Sequence, residues 1–310
     1  MVQPVVSIII PCYNGADTIA RALRGVIQQT YRPIQLILVN DGSTDRSDAI
    51  IREMEAEIRT AGIQFEYIVQ ENMGLGGAIN TGLKYVTGEY LAWADADDEL
   101  LPESVELRVA FLENHPEFGS VTSDAFYAED ADWDTPLGRV TYNPEENNLP
   151  NQFLPMLLGN SVFCCGCHLV RTEVFKSANG GMEIYPARHG QNWQMLLPVY
   201  YSSKHAYMDI PLYKYRVNAA NMTAEIEKMG LRALYKRRNE YIEIVLHTLK
   251  RIRNMSNPER RVYTRKFKNH MSEMNLDDAL QRNAKHHILF WKVKLKLARL
   301  FGNTRKNLEI

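Results

Sequence analysis

Residues 90–102 read YLAWADADDELLP, an apolar run that ends in three carboxylates, Asp95, Asp97 and Asp98, ahead of Pro102. Like charges a few ångströms apart repel and raise one another's pKa, so a strand gains nothing by ending this way unless a cation sits there. Two carboxylates one residue apart offer the oxygen ligands that Mg²⁺ or Mn²⁺ takes, with coordination positions left for phosphates. The same stretch also suits the cap of a helix started at Pro102. On its own it is compatible with both readings, and the chain around it has to separate them.

Upstream, strand and helix patterns alternate through the first 125 residues, which predicts an α/β fold with a mostly parallel sheet and helices on its faces. Val5 to Pro11 (VVSIIIP) and Ile34 to Val39 (IQLILV) are short, apolar and rich in β-branched residues, as strands buried on both faces are. Phe65 to Val69 is a third strand and Tyr90 to Ala94 a fourth. Between them Ile19, Leu23, Val26 and Ile27, then Ile50, Ile51, Met54 and Ile58, then Ile79, Leu83 and Val86 recur at helical spacing. Each strand runs into polar, turn-forming residues: CYNG, NDGSTD, QENMGLGG and DADD. Ligands of open parallel sheets collect at the carboxyl ends of strands, so these four loops are expected to line one crevice.

Downstream the pattern loosens. Ser120 to Ser123 is a fifth strand, and residues 126–150, polar and rich in Asn and Pro, read as a long loop or substrate-facing flap. A helix is expected over Gln152 to Leu158, a strand over Ser161 to Val170, a helix from Gln191 and a last strand over residues 210–217 (IPLYKYRV). From residue 224 the chain becomes helical, charged and basic.

With 310 residues, 45% hydrophobic and 24% charged, the composition is that of a globular protein with a large core. A net charge of −1 argues against a general nucleic-acid binder, although acids gather in the first half and Lys and Arg in the last third. Cys12, Cys164, Cys165 and Cys167 do not make a disulfide framework in a chain this long, and no signal peptide is evident; a reducing cytoplasm is the expected setting. No apolar run approaches the roughly 18 residues of a spanning helix.

Asp41, at a strand end in NDGSTD, can accept paired N–H groups of a base or the hydroxyls of a ribose, while Asn40 to Ser43 also reads as an Asx-type turn. Gly74, Gly76 and Gly77 follow the third strand and lack the last glycine of a dinucleotide fingerprint, so they fit close approach to a base or plain turn chemistry. Cys164, Cys165, Cys167 and His168 have no second pair with which to complete a zinc site, and they read as buried thiols in a strand.

Taken in order, PCYNGADTI, VNDGSTD, QENMGLGGAINTG and DADDELLP resemble the successive motifs of family 2 glycosyltransferases, strongly over residues 4–125 and weakly, through RTEVF and YKYRV, to about 223. The resemblance implies the GT-A nucleotide-diphospho-sugar transferase fold, a Rossmann-like sheet with helices on both faces. It divides residues 1–223 into a nucleotide-binding half, 1–125, and an acceptor-binding half, 126–223, followed by a helical basic extension, 224–310. It implies that Pro11, Tyr13, Asn14 and Asp41 form the donor-base site, with a UDP-sugar favoured, and that Asn72 and Gly74 lie near the base. Asp95 would approach the ribose or the metal, and Asp97 would be the principal ligand of Mn²⁺ or Mg²⁺ at the diphosphate. The implied reaction is an inverting transfer to a glycan or lipid-linked acceptor in cell-surface polysaccharide synthesis.

The sequence departs from the family pattern at two places. Where the family often carries Glu-Asp and uses that Asp as base, this chain reads His189-Gly190-Gln191-Asn192-Trp193, and Asn192 cannot accept a proton. Candidates for the base are His189, whose ordinary pKa suits the role, and Glu183, with Asp124 more distant; Asn192 is left to orient the acceptor. Where the family often has His two residues after Tyr-Arg, this chain has Asn218. A silent nucleotide-sugar binding module in an assembly complex therefore stays open, as does a related nucleotidyltransferase, although the latter wants a phosphate loop after the first strand. Finally, Lys285 to Lys306 contains no acid and places Phe290, Val293, Leu297, Leu300 and Phe301 opposite Lys292, Lys296 and Arg299, with Lys294 out of pattern. That tail suits contact with an anionic membrane surface, on the inner face of the membrane, or packing on its own domain or on a second subunit as a homodimer.

Overall fold

In a computed structural model of the chain, which describes residues 3–141, 147–149, 151–217 and 228–302, the strand richest in isoleucine takes the centre of the parallel region. This strand, β1 (Val6–Cys12), is buried along its whole length and pairs in parallel with β2 (Ile34–Asn40) on one side and β4 (Tyr90–Trp93) on the other. Strand β3 (Gln64–Val69) adds to β2 as the edge strand, and it is correspondingly only half-buried. Helices α1 (Ile19–Ile27), α2 (Ser47–Thr60) and α3 (Leu75–Leu83) are the crossovers that parallel pairing demands.

Beyond β4 the sheet becomes mixed. Its order is β3-β2-β1-β4-β8-β6-β9-β5, with β5 (Glu99–Leu100), β6 (Phe118–Ala128), β8 (His168–Arg171) and β9 (Lys204–Arg216), and with β7 (Gly138–Arg139) paired to β6. β8 runs antiparallel to β4 and β6, whereas the long β6 and β9 run parallel to each other. Helix α4 (Ser104–Asn114) joins β5 to β6; α5 (Phe153–Leu157), α6 (Thr172–Asn179) and α7 (Gln191–Ser202) fill the following segments.

Three expectations are corrected. Residues 161–170 are not one strand: a 3₁₀ turn over Cys165–Cys167 precedes β8. Gly166 sits there because a Cβ would lie 2.0 Å from the Tyr213 ring, and buried Arg108 fixes the turn by donating to the Gly166 carbonyl at 2.8 Å. The loop expected over 126–150 begins as ordered strand, since β6 continues to Ala128 and pairs with β7; residues 142–146 and 150 lie outside the described residues. The last strand starts earlier, at Lys204, with register shifts near Asp124 that bend it.

By packing, the chain divides into two units, Met1–Asn218 with Arg251–Asn254, and Ala219–Lys250 with Met255–Ile310. The second holds α8 (Leu231–Arg251), whose last residue falls in the first unit, α9 (Asn257–Gln281) and α10 (Lys285–Gly302). α9 begins at a capping box: the Ser256 hydroxyl accepts from the Glu259 N–H and the Glu259 carboxylate accepts from the Ser256 N–H. The buried residues of this unit include Leu249, Phe267, Met271, Trp291 and Leu295. No described helix is long and apolar enough to cross a membrane.

Candidate active site

Parallel register brings the four strand ends to one edge: Cys12 faces Asn40, Asn40 faces Val69, and Ile9 faces Trp93. The loops that leave this edge touch in sequence. Asn14, held at a left-handed φ of 51°, donates its N–H to Ser43 Oγ, and its side-chain oxygen accepts the Thr44 N–H. A Cβ on Gly42 would collide with the Asn72 nitrogen at 2.8 Å, so the second loop lies against the third only because that residue is glycine. On the other side, a Cβ on Gly15 would reach Ala96 at 3.8 Å, joining the first loop to the acidic one.

Along this rim, Pro11 is buried as the penultimate residue of β1 while Tyr13 stands 55% exposed beside it. Asp41 is buried, its Oδ1 accepting from Gln70 Nε2 (2.7 Å) and from the Met73 N–H (2.8 Å). The carboxylate that reads from sequence as turn or ligand therefore also ties the second loop to the third. Asn72 accepts from Arg188 (3.3 Å), and Gly74, at φ 75°, caps α3 where a Cβ would strike Arg188 at 2.8 Å. Residues 184–188 are clamped over this helix start by the Gly76 N–H donating to the Ala187 carbonyl and by a reciprocal pair between the Asn80 side chain and the Ile184 backbone. The segment ahead of His189 is thereby fixed against the third strand-end loop and the start of α3.

At the acidic loop, the first of the three carboxyls, Asp95, is held up at about 6, chiefly by burial and then by Asp97. Burial also raises Asp97, with the nearby Arg216 opposing it, and burial plus both neighbours push Asp98 well above the usual range. Asp98 Oδ1 accepts the Arg216 N–H at 2.8 Å, while its buried Oδ2 has no hydrogen-bond partner among the described residues. The acidic groups of Asp95 and Asp98 come within 4.8 Å of one another and of the Cys165 thiol. The Tyr213 hydroxyl accepts the Asp95 N–H at 3.3 Å.

Sequence reading missed the cationic frame around this loop. Arg216 lies 4.0 Å from Asp97 and grips Asp130 of the flap with both oxygens, at 2.9 and 2.8 Å from Nε. Arg21 of α1 donates to the Asp97 carbonyl (3.1 Å) and to Asp130 (3.2 Å), with its guanidinium 3.4 Å over the Trp133 ring. An arginine on a helix and an aspartate in a polar loop carry no pattern that would have paired them.

Across the crevice, Asn192 is buried and its amide is committed: it donates to the Phe163 carbonyl and accepts from Trp93 Nε1 at 3.4 Å, next to the acidic loop. Glu183 is exposed, 3.8 Å from Arg251. Asp124 is fully buried and held by Arg139 (2.5 Å) and the N–H groups of Ala125 and Thr141, an arrangement that fixes β6 where the β9 bulge lies against it. Asn218 lies outside the described residues.

A family model described as glycosyl transferase family 2 matches residues 7–178. The chain belongs to that family. It is 39% identical over 110 residues to an uncharacterized glycosyltransferase of Rickettsia typhi, covering 36% of this chain and 32% of that one. It is also 39% identical over 107 residues to glycosyltransferase GlyA of Streptococcus pneumoniae, covering 34% and 15%. These matches span a third or less of the relatives' own lengths. In structure the chain is similar to Staphylococcus aureus TarS 1-349 in complex with UDP-GlcNAc, with a TM-score of 0.65 at 14% identity, covering 88% of this chain and 74% of that one. It is similar also to the mannosyltransferase PcManGT of Pyrobaculum calidifontis in complex with GDP-Man and Mn²⁺, with a TM-score of 0.56 at 14% identity, covering 96% and 85%. At such identities the likeness establishes the GT-A fold.

Proposed function

We propose that this family 2 enzyme is an inverting glycosyltransferase that takes a sugar from a nucleotide diphosphate, a UDP-sugar for preference, and delivers it to a glycan or lipid-linked acceptor in cell-surface polysaccharide synthesis at the cytoplasmic side of the membrane. One observation carries the reading: four strand-end loops that touch one another from Asp41 round to Asp97. Pro11, Tyr13, Asn14, Asp41, Asn72 and Gly74 are the nucleoside end of that rim. TarS, whose fold this chain shares, is known in complex with UDP-GlcNAc, which supports the donor class.

The acidic loop fits a divalent cation, because burial and mutual repulsion hold Asp95 and Asp98 above their ordinary range, burial raises Asp97 against the opposing Arg216 charge, and Asp98 keeps an unpartnered buried oxygen, and carboxylate oxygens in that state suit a hard cation. Asp97 and Asp95 would hold Mn²⁺ or Mg²⁺, whose chemistry there is to offset the negative charge that builds on a departing diphosphate. The chain's own residues do the rest. In an in-line displacement the acceptor oxygen bonds to the anomeric carbon as the bond to the diphosphate oxygen breaks, and the acceptor proton passes to a base. His189 takes that role, since the preceding segment is clamped to the donor loops; Glu183 is engaged with Arg251, and Asn192 positions Trp93 and the loop after it.

The experiment is transfer and donor hydrolysis assayed over a panel of nucleotide sugars with Mn²⁺, Mg²⁺ or EDTA. Turnover that requires the metal and vanishes in Asp97→Asn is expected; tight nucleotide binding without turnover from any donor would favour the silent binding module, the reading that Asn192 in place of the family's Asp supports. The tail is part of this proposal. Leu289, Phe290, Val293 and Leu297 are exposed on α10, flanked by Lys285, Lys292 and Lys296, a face suited to an anionic bilayer. Phe290→Asp with Val293→Asp should abolish sedimentation with phosphatidylglycerol vesicles, whereas a monomeric protein indifferent to both vesicles and these changes would leave the face without this role; a dimer lost in the variant would assign the face to a second subunit.

A further inference from the structure

The second unit has a charge problem that its own packing does not solve. Residues 219–250 and 255–310, which make up that unit, contain 19 Lys and Arg against 9 Asp and Glu. Some of these cations are paired within the unit, as Arg238 is with Asp278. Others are collected on the wall of one groove of about 1060 Å³ between α8, α9 and α10. Lys250, Arg260, Arg261, Arg265, Lys268 and Lys294 line it, with Glu243 the one acid among the lining residues.

Arg260 is structural, its guanidinium donating to the Leu249 and Met255 carbonyls at the end of α8. The rest form a stripe. Arg261, Arg265 and Lys268 are spaced four and three apart, so they stand one above another on α9, where like charges cost stability. Lys294 of α10, 4.4 Å from the Trp291 ring, faces that stripe, and burial together with the Lys268 charge lowers its pKa. Among the described residues no carboxylate forms an ion pair with Lys250, Arg261, Lys268 or Lys294. Lys250, Arg261, Lys268 and Lys294 together give the groove a positive potential that attracts an anion from outside the chain.

We infer that this groove binds a water-soluble, phosphate-bearing chain, one that carries two or more phosphate groups in diester or diphosphate linkage. The volume is at the upper end of small-molecule sites and exceeds what a single phosphate fills. A guanidinium presents a planar fork to phosphate oxygens, and ammonium groups add point charges along the stripe. Polar Asn257, Thr264 and Asn269 on the same wall supply donors for ester oxygens or sugar hydroxyls. A lipid headgroup is disfavoured by the placement of α10: its exposed apolar residues, Phe290, Val293 and Leu297, stand on the side of the helix away from Leu295, which faces the groove, with Lys294 at the border between the two faces. Every lining residue belongs to the second unit, so the inference does not depend on the donor-site reading.

The test is isothermal titration of the full chain in EDTA with inorganic tripolyphosphate, for the wild type, for Lys268→Gln/Lys294→Gln and for the control Lys292→Gln/Lys296→Gln, whose lysines are exposed on α10 outside the groove. One saturable site is expected, at least tenfold weaker in the groove variant and within twofold of wild type in the control. The groove variant should also melt at an equal or higher temperature, because it relieves repulsion, so that lost binding is separated from lost fold. Equal weakening in both variants, no weakening in the groove variant, or no saturable site would each overturn the inference. Phosphatidylglycerol-vesicle binding that falls with Lys268 and Lys294 but not with Lys292 and Lys296 would overturn the soluble ligand in favour of a headgroup. Displacement of tripolyphosphate by single-stranded RNA, but not by a phosphodiester-linked glycan, would overturn it in favour of nucleic acid.

Discussion

Asn192 shows how a single residue changes meaning once its neighbours are known. From sequence it is a lost base; in the fold it is a buried strut whose amide bridges Phe163 and Trp93. Asn192→Asp would therefore not restore a base at no cost. A carboxylate cannot donate to the Phe163 carbonyl, and leaving that acceptor unsatisfied beside a new negative charge is expected to cost about 1–3 kcal/mol, seen as an earlier denaturation midpoint with little gain in turnover. His189→Gln should lower kcat by roughly a hundredfold or more and leave donor affinity unchanged, as removal of a general base does. Glu183→Gln should change kcat less than threefold. The reverse ranking, measured in single-turnover transfer, would move the base to Glu183. Asp41→Asn keeps an oxygen for the Met73 N–H but loses a charge, so free nucleotide is expected to bind about tenfold more weakly while the melting temperature barely moves.

At the scale of elements, the flap between β6 and β7 is tied to the acidic loop by anion-for-anion logic. Asp130 occupies Arg216 and Arg21, the two cations nearest Asp97, while Trp133 stacks on Arg21 and donates to Glu99. Asp130→Asn frees both guanidiniums, and nucleoside diphosphate titrated in EDTA is expected to bind several-fold more tightly. The sheet's second half carries a different device. His168 is buried with its Nδ1 2.7 Å from Thr122 Oγ1, and His205 is buried 3.1 Å from Ser120 Oγ. Burial lowers both, His205 to about 3 and His168 well below its ordinary value. Their folded values lie below the unfolded one near 6.5, so the unfolded chain binds protons first and stability falls as pH drops below about 6.5. One pH unit lower the loss is roughly 1.4 kcal/mol for each neutral histidine. A melting temperature that is flat from pH 7.5 to 5 would contradict this, and Thr122→Val is expected to leave the acid sensitivity in place.

For the molecule as a whole, periodicity and turn chemistry are local, and what they govern was legible. The apolar β-branched runs at Val5 to Pro11 and Ile34 to Val39 became β1 and β2 because a segment of that composition is stable only when covered on both faces. Polar loops after four parallel strands had to meet on one edge, and the family motifs in them named the fold. Other features rest on contacts between residues distant in sequence. Arg216 meets Asp98 across 118 positions and Asp130 across 86, through the register of β9 and its bulges, and no local pattern encodes such a pairing. The turn at Cys165–Cys167 interrupts a segment that reads as strand because Tyr213 needs the space over Gly166. The amino-acid sequence by itself determined the class of fold, the rim of strand-end loops, the acidic run and the basic tail, since each follows from the chemistry of consecutive residues. Tertiary structure alone decided which cations frame the carboxylates, that the Asn192 amide is committed to Phe163 and Trp93, and that lysines and arginines of three helices share one groove, since those depend on how separate elements pack.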